Sequence, residues 1–535
     1  MFVRYIIDGK FKRVNDTNED IEVFEQRKNN RHVVKVKAKK DLLLADATEV
    51  VPAYNNFSDL YFLNGYQSWT DTKEFKLAKR LRNVKKSPHA IVTLYGLNKY
   101  GDSTFYDYSI NKSHGYDIFY SKGKFESFIY NMNYKTAYLI IELIKNKRDV
   151  YLTSELRGRV LKKGEEITAF DYCYYDNYQK GLEAFNNDFK ELDTEQVFGY
   201  TSWYNYYQNI SEDIIMRDLD ALDERFNVFQ IDDGYETFVG DWFDIDAKKF
   251  PNGLKPIVDK IHKKGYKAGI WLAPFVAERK SRLFKEHQDW IKKDAKGKPV
   301  LAGGNWSKFY SLDLENEEVI DYIKKFLTFY MELGFDFFKL DFLYASSIIA
   351  ANGKTRCETQ DAAYQLLRDV LKDKLILGCG ANIINSYQKF DYLRVGPDVS
   401  LKFDDVWVMR LFHRERISTK VTLQNTIYRS IFNKHLFVND PDVFLLRDNN
   451  IQLSTEQRKA LTLINALFGG VLMTSDNIKE YDDKKQRILN EALCLFYEAK
   501  VKSYTTKGSI IEIVYEVKGE TKELKYNTKT GVFIK

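Results

Sequence analysis

The chain has 535 residues, 44% of them hydrophobic, which is enough for two or three domains with cores of their own. Its 82 basic and 76 acidic side chains are interspersed and leave a net charge of only +6, so no nucleic-acid partner is implied. No stretch reaches the roughly 20 apolar residues of a membrane helix, so no membrane partner is expected, and the opening MFVRYIIDGKFKRV lacks the apolar core of an export signal. Cys173, Cys357, Cys379 and Cys494 have no paired spacing for zinc or a disulfide framework, and free thiols in the cytoplasm are expected.

Residues 1–190 alternate polar and apolar side chains at period two, as in VVKVKAKK from Val33, AIVTLYGL from Ala90, STFYDYSI from Ser103 and AYLIIELI from Ala137. That is the pattern of an antiparallel β-domain. One stretch inside it differs: Asn64-Gly65-Tyr66-Gln67-Ser68-Trp69. Gly65 marks a tight turn, and Trp69 among small polar residues either packs locally or reaches into a neighbouring domain's cleft.

From about residue 196 to 480 the pattern changes to short apolar runs separated by helix-like stretches. The runs lie at 199–203, 228–231, 268–272, 336–340, 375–378, 393–395, 436–438 and 471–473. Between them, Ser211-Glu212-Asp213 opens a helix, 257–262 keeps helical spacing, and Glu317–Leu333 is amphipathic. Eight such alternations predict a (β/α)8 barrel, an α/β fold of the TIM type. After residue 500 short alternating runs return, and residues 500–535 read as a small C-terminal antiparallel β-domain.

The run 335–344 is the centre of this organisation. It is apolar and aromatic, yet it carries Lys339 and Asp341 on one side of a predicted strand. A buried ammonium beside a buried carboxylate is either a structural ion pair or part of a site. In a barrel the active groups gather at the C-terminal ends of the strands. Those ends deliver Trp203 and Tyr204, Asp232 and Asp233, Trp271, Lys339 and Asp341, Cys379, Arg394 and Asp398, Asp440 and Asp442, and Asp476. None of the seven His falls on such an end with ligand spacing, so neither a metal nor another cofactor is expected. No glycine-rich loop feeds a helix N-terminus, and an acidic ring repels phosphate. Glycoside cleavage, which needs two carboxyl groups flanking a bond and further polar groups for hydroxyls, uses most of what is present.

Several motifs carry a family likeness. They are Trp203-Tyr204-Asn205-Tyr206, Gln230-Ile231-Asp232-Asp233-Gly234-Tyr235, Gly240-Asp241-Trp242 and Gly269-Ile270-Trp271-Leu272-Ala273-Pro274-Phe275. His287-Gln288-Asp289-Trp290, Phe338-Lys339-Leu340-Asp341-Phe342, Leu377-Gly378-Cys379-Gly380, Arg394-Val395-Gly396-Pro397-Asp398 and Asn439-Asp440-Pro441-Asp442 follow. With Asn64-Gly65-Tyr66-Gln67-Ser68-Trp69 they span nearly the whole chain, and in this order they resemble the family-36 glycoside hydrolases, the α-galactosidases and their relatives. The resemblance implies an N-terminal β-sandwich, a (β/α)8 barrel and a C-terminal β-domain, and retaining hydrolysis of a small-molecule α-galactoside.

By that resemblance Asp341 is the nucleophile and Asp398 the general acid/base. Lys339, Asp232 and Asp233 are ligands of sugar hydroxyls. Arg394, Trp271, Trp203, Tyr204 and Cys379 are wall positions, and Trp69 is the tryptophan that the N-terminal domain lends to the pocket. Lys339 is expected to keep Asp341 ionised, and a second carboxylate about 5–5.5 Å away is expected to keep Asp398 protonated. The stretch 399–405, Val-Ser-Leu-Lys-Phe-Asp-Asp, departs from the family's small residue, proline and aromatic on the leaving-group side. The alternatives at this point are a raffinose-synthase-like α-galactosyltransferase, an α-N-acetylgalactosaminidase, and a non-catalytic carbohydrate-binding protein.

Overall fold

The computed structural model describes residues 1–52, 59–76, 97–106, 111–144, 147–404 and 416–534. The first 175 residues build two seven-stranded antiparallel sheets. Alternation does the work here: in strand Arg31–Ala38, His32, Val34, Val36 and Ala38 are buried while Arg31, Lys35 and Lys37 face water. The inward set meets Tyr5, Ala47, Ile141 and Leu152 of the other sheet in one sandwich core. The second sheet is covered on its other face as well. There Phe62 stacks on Tyr120 at 4.6 Å and meets Phe432 of the barrel edge-on at 6.4 Å. Of the expected strand at 103–110, residues 107–110 lie outside the described residues, and the described part is not extended but enters a 3-10 turn (Asp102–Thr104), because the amides of Phe105 and Tyr106 both donate back to the Asp102 carbonyl. The run from Ala90 lies, but for Leu97, outside the described residues.

The central sheet is entirely parallel and curls into a barrel. Its strands are β1 (Val197–Thr201), β2 (Val228–Ile231), β3 (Lys267–Leu272), β4 (Phe337–Leu340), β5 (Leu375–Gly378), β6 (Tyr392–Arg394), β7 (Val438–Asp440), β8 (Val443–Phe444) and β9 (Val471–Thr474). β7 pairs with β6, whereas β8 pairs with β9. They are two halves of one stave, so eight staves close the ring. The break has a local cause. Pro441 has no N–H for the ladder, and Asp442 adopts φ +76°, which turns the chain from one neighbour to the other.

The outer helices are α1 (Glu212–Ala221), α2 (Lys255–Lys263), α3 (Glu317–Leu333), α4 (Arg356–Leu371), α5 (Thr419–Tyr428), α6 (Thr455–Phe468) and α7 (Asp483–Glu498). Their starts are written in the sequence: Ser211, Thr355, Ser418, Ser454 and Asp482 each cap a first turn with a side-chain oxygen. The regular alternation fails once. Between β5 and β6 there is only a 3-10 turn (Ile384–Ser386), because the N-terminal domain occupies the place of the helix. The Ser68 amide donates to the Ala381 carbonyl at 3.0 Å, and the Asn382 side chain donates to the Tyr66 carbonyl at 2.8 Å.

Two further expectations shift. The seventh strand starts at Val438, two residues later than the apolar run, because the Leu436 amide still donates to the Phe432 carbonyl of a turn. β1 ends at Thr201, so Trp203 and Tyr204 sit on a helical turn (Trp203–Tyr206) just beyond it. The chain closes with a four-stranded antiparallel sheet, Lys500–Lys507, Ile510–Val517, Glu520–Asn527 and Val532–Ile534, laid on α6 through its first and last strands, with Ile511, Ile513, Tyr515 and Val517 buried. No helix among the described residues is long and apolar enough to cross a membrane.

Candidate active site

β4 is buried along its whole length, and its ladder carries one residue further: the Asp341 amide donates to the Leu272 carbonyl at 2.8 Å. Phe342 then takes φ +53°, a conformation costly for a bulky residue. The turn brings the Phe342 amide back onto Asp341 Oδ1 at 2.8 Å, while Trp271 Nε1, from β3, donates to Oδ2 at 3.0 Å. Two donors from rigid elements therefore fix the orientation of the Asp341 carboxylate. Lys339, expected beside Asp341, makes its hydrogen bond to a different carboxylate while the Asp341 charge still acts on it. Lys339 Nζ donates to Asp232 Oδ2 at 2.8 Å, because β2 is the next strand but one, with β3 between them. Burial works most strongly against the charge on Lys339, but Asp232 and Asp341 together outweigh it, so its pKa is raised and the ammonium is kept.

Asp232 Oδ2 also accepts from Gln230 Nε2 at 2.6 Å and from Thr201 Oγ1 at 3.1 Å. Asp233 accepts from Gln208 Nε2 at 3.1 Å and from Trp306 Nε1 at 2.9 Å. Gly234, at φ +119°, permits this turn: a Cβ there would lie 2.7 Å from the Gln208 backbone. Burial pushes the Asp233 carboxyl up, with Glu236, Gln208 and Trp306 bonding against that shift. Glu278 stands close by and is pushed up to about 7 by burial, with the Ser307 hydroxyl opposing and Asp233 reinforcing.

On the facing side one guanidinium holds three carboxylates. Arg394 Nη1 contacts Asp398 Oδ1 at 3.0 Å, Nε contacts Asp440 Oδ2 at 2.9 Å, and Nη2 contacts Asp442 Oδ1 at 2.8 Å. Tyr204 donates its hydroxyl to Asp442, and the Val399 amide donates to the same carboxylate at 2.7 Å. Burial raises Asp442 to about 7 despite Arg394. Asp398 is likewise raised, first by the crowding of protein around it, with Arg394 and Lys339 opposing and Asp341 and Asp232 adding to the rise. A third of its side chain still reaches the pocket's solvent.

Asp341 and Asp398 line one cavity of about 100 Å³. Its wall includes Trp69, which crosses from the N-terminal domain and meets Phe342 and Tyr344 edge-on at 5.4 and 5.8 Å. Gly380, at φ +61°, makes the approach possible, since a Cβ there would stand 2.9 Å from the Trp69 ring. Cys379 is buried one residue before it, and burial holds its thiol protonated, with the Asp341 charge adding to the effect. Trp203 is half-buried and meets Tyr207 edge-on at 5.2 Å. The structure thus gathers Asp341, Asp398 and Trp69 on the cavity itself; Trp271 and Arg394 bond to the two carboxylates, Tyr204 shares Asp442 with Arg394, and Lys339 and Asp232 pair with each other. Sequence reasoning missed Trp306, Tyr100, Asn305, Arg416 and Ile417. The last four line the cavity, and a tryptophan after Gly303-Gly304-Asn305 was the one available signal for Trp306. Of the departing stretch, residues up to 404 are described and residue 405 is not.

A (β/α)8 barrel between two β-domains thus carries carboxylates around a cavity at its C-terminal rim. Residues 193–372 match the Melibiase family model. An α-galactosidase of Escherichia coli is 30% identical over 235 residues, covering 40% of this chain and 32% of the relative. An A type blood α-D-galactosamine galactosaminidase of Flavonifractor plautii is 29% identical over 213 residues, covering 35% of this chain and 19% of that protein. The matched stretch therefore spans less than a third of the length of either relative. The α-galactosidase of Thermus thermophilus, solved in complex with p-nitrophenyl α-D-galactopyranoside, superposes with a TM-score of 0.71 at 23% identity, covering 97% of this chain and 98% of that one. A family-36 α-galactosidase of Geobacillus stearothermophilus gives 0.64 at 12% identity, covering 93% and 71%. These likenesses carry the fold: a barrel with flanking β-domains, as in the family-36 structures.

Proposed function

We propose that this chain is a retaining α-galactosidase, releasing terminal α-D-galactosyl residues from small galactosides through a covalent galactosyl-enzyme. The observation that carries the reading is the pair Asp341 and Asp398, from two barrel strands, on one small cavity closed by Trp69. In the first step the Asp341 carboxylate attacks the anomeric carbon. The bond to the leaving oxygen breaks, and Asp398 gives that oxygen its proton. In the second step Asp398, now a carboxylate, takes a proton from water, and the hydroxide displaces Asp341 from the sugar. Esterification of Asp341 removes the charge that helps to hold the proton on Asp398, which favours this reversal of role.

Asp232 and Asp233 are read as acceptors for hydroxyls on the far side of the ring. A sugar with a misplaced hydroxyl would leave buried carboxylates unpaired, which penalises it strongly. Lys339, held by Asp232, is placed in the same role, with Trp271, Arg394, Tyr204, Trp203 and Cys379 shaping the wall. Four cysteines without disulfide partners fit a cytoplasmic enzyme acting on imported sugars. A panel of nitrophenyl α- and β-glycosides, with the product anomer followed by NMR, tests the proposal. Cleavage of the α-galactoside with the α-anomer formed first is expected. First release of the β-anomer, or preference for another glycoside, would refute it.

A further inference from the structure

Helix α5 supplies nothing to the chemistry proposed above, yet one of its faces is both polar and buried. Thr422, Asn425 and Arg429, the last just past its end, follow at spacings of three and four and so share that face. All three are fully buried. Their partners are carbonyls of two segments distant in sequence. Arg429 Nη1 donates to the Ser68 carbonyl at 2.6 Å and to the Val395 carbonyl at 2.8 Å. Its Nη2 donates to the carbonyls of Gln67 at 3.0 Å and Gly65 at 3.3 Å. Asn425 Nδ2 donates to Thr70 O at 2.9 Å and to the same Val395 carbonyl at 3.2 Å, and its Oδ1 accepts from the Thr72 amide at 2.8 Å. Thr422 donates its hydroxyl to the Pro397 carbonyl.

One segment is the irregular loop that carries Trp69. The other is the Val395-Gly396-Pro397 link between Arg394 and Asp398. We infer that Asn425 and Arg429 are positioning residues, a clasp that sets the Trp69 loop and the Asp398 loop against each other across the domain boundary. Core filling alone does not account for them, since desolvating a guanidinium costs several kcal/mol and apolar residues fill a core more cheaply. A planar fork of donors is suited to several carbonyls fixed in different directions, and a lysine cannot reproduce it. The kinetic consequence rests on the α-galactosidase reading; the structural one does not.

Arg429→Lys and Asn425→Ala test the clasp, the second keeping the fold at risk least. Hydrogen exchange should quicken together in 64–72 and 394–399 and stay unchanged in strands Ser127–Asn131 and Val228–Ile231. Displacement of reacting groups by about 1 Å costs on the order of 100-fold in rate. With nitrophenyl α-galactoside and an α-linked galactosyl disaccharide, KM should rise about tenfold for both through Trp69. The fall in kcat should be about tenfold larger for the disaccharide, which needs the proton of Asp398. Quickened exchange in one segment or in neither, or equal losses on both substrates at unchanged KM, overturns the clasp. If the unmodified protein cleaves neither galactoside, the functional reading falls, and exchange in the two segments still decides the clasp.

Discussion

Asp341 and Asp398 differ in what surrounds them, and that difference fits the parts proposed for them. Asp341 is gripped by a backbone amide and an indole N–H, an arrangement that presents a carboxylate in one orientation. Asp341→Ala should lower turnover by at least about 1,000-fold, with azide or formate restoring part of it. Activity that survives the change would remove Asp341 from the mechanism. Asp398 has a raised pKa, so its acid form is lost only as pH climbs through that raised value. Activity on natural galactosides should accordingly fall on the alkaline side. Asp398→Ala should flatten that limb and cost roughly 100- to 10,000-fold with poor leaving groups, but far less with nitrophenol. Matching losses on both kinds of substrate would exclude the acid role.

At the scale of elements, the split stave is the feature with consequences. Because Pro441 and Asp442 interrupt it, Asp440 and Asp442 both turn toward Arg394, which then carries three carboxylates. Arg394→Met would leave them buried without their cation, at a cost of about 3–5 kcal/mol. Asp442, near 7, takes up a proton as pH falls, so the deficit should shrink between pH 8 and pH 5. Urea melts of both proteins at the two pH values measure this, and a deficit that does not depend on pH would count against it. The missing helix between β5 and β6 belongs to the same scale: the loop that replaces it is the one that meets Trp69.

For the molecule as a whole, the N-terminal domain and the barrel are joined through polar groups that are buried and titratable. Asp117, on a turn of the N-terminal domain, accepts from the Leu139 amide at 2.9 Å and from Asn131 Nδ2 at 2.8 Å. Burial raises it to about 7. The folded protein therefore holds this proton more tightly than the unfolded chain, and the group lowers stability as pH rises from about 4 through 7. Asp117→Asn should stabilise by a few kcal/mol at pH 8 and by nothing below pH 4. A gain of the same size at both pH values would mean that the carboxyl is not the cause.

Fully buried strands such as Val228–Ile231 and Phe337–Leu340 read directly from the sequence, since a parallel sheet covered on both faces needs continuous apolar runs. One helix start reads from Ser211, other helices read from the apolar spacing of 257–262 and 317–333, and the acidic strand ends read as a ring within the barrel. What the sequence by itself determined was therefore local periodicity and which residues stand at strand ends. Only the tertiary structure decided that Lys339 pairs with Asp232, that Arg394 serves three acids, that Trp306 reaches Asp233, and that Arg429 grips Trp69's loop. Those pairings depend on register across neighbouring strands and on one domain docking against another, and no spacing along the chain encodes either.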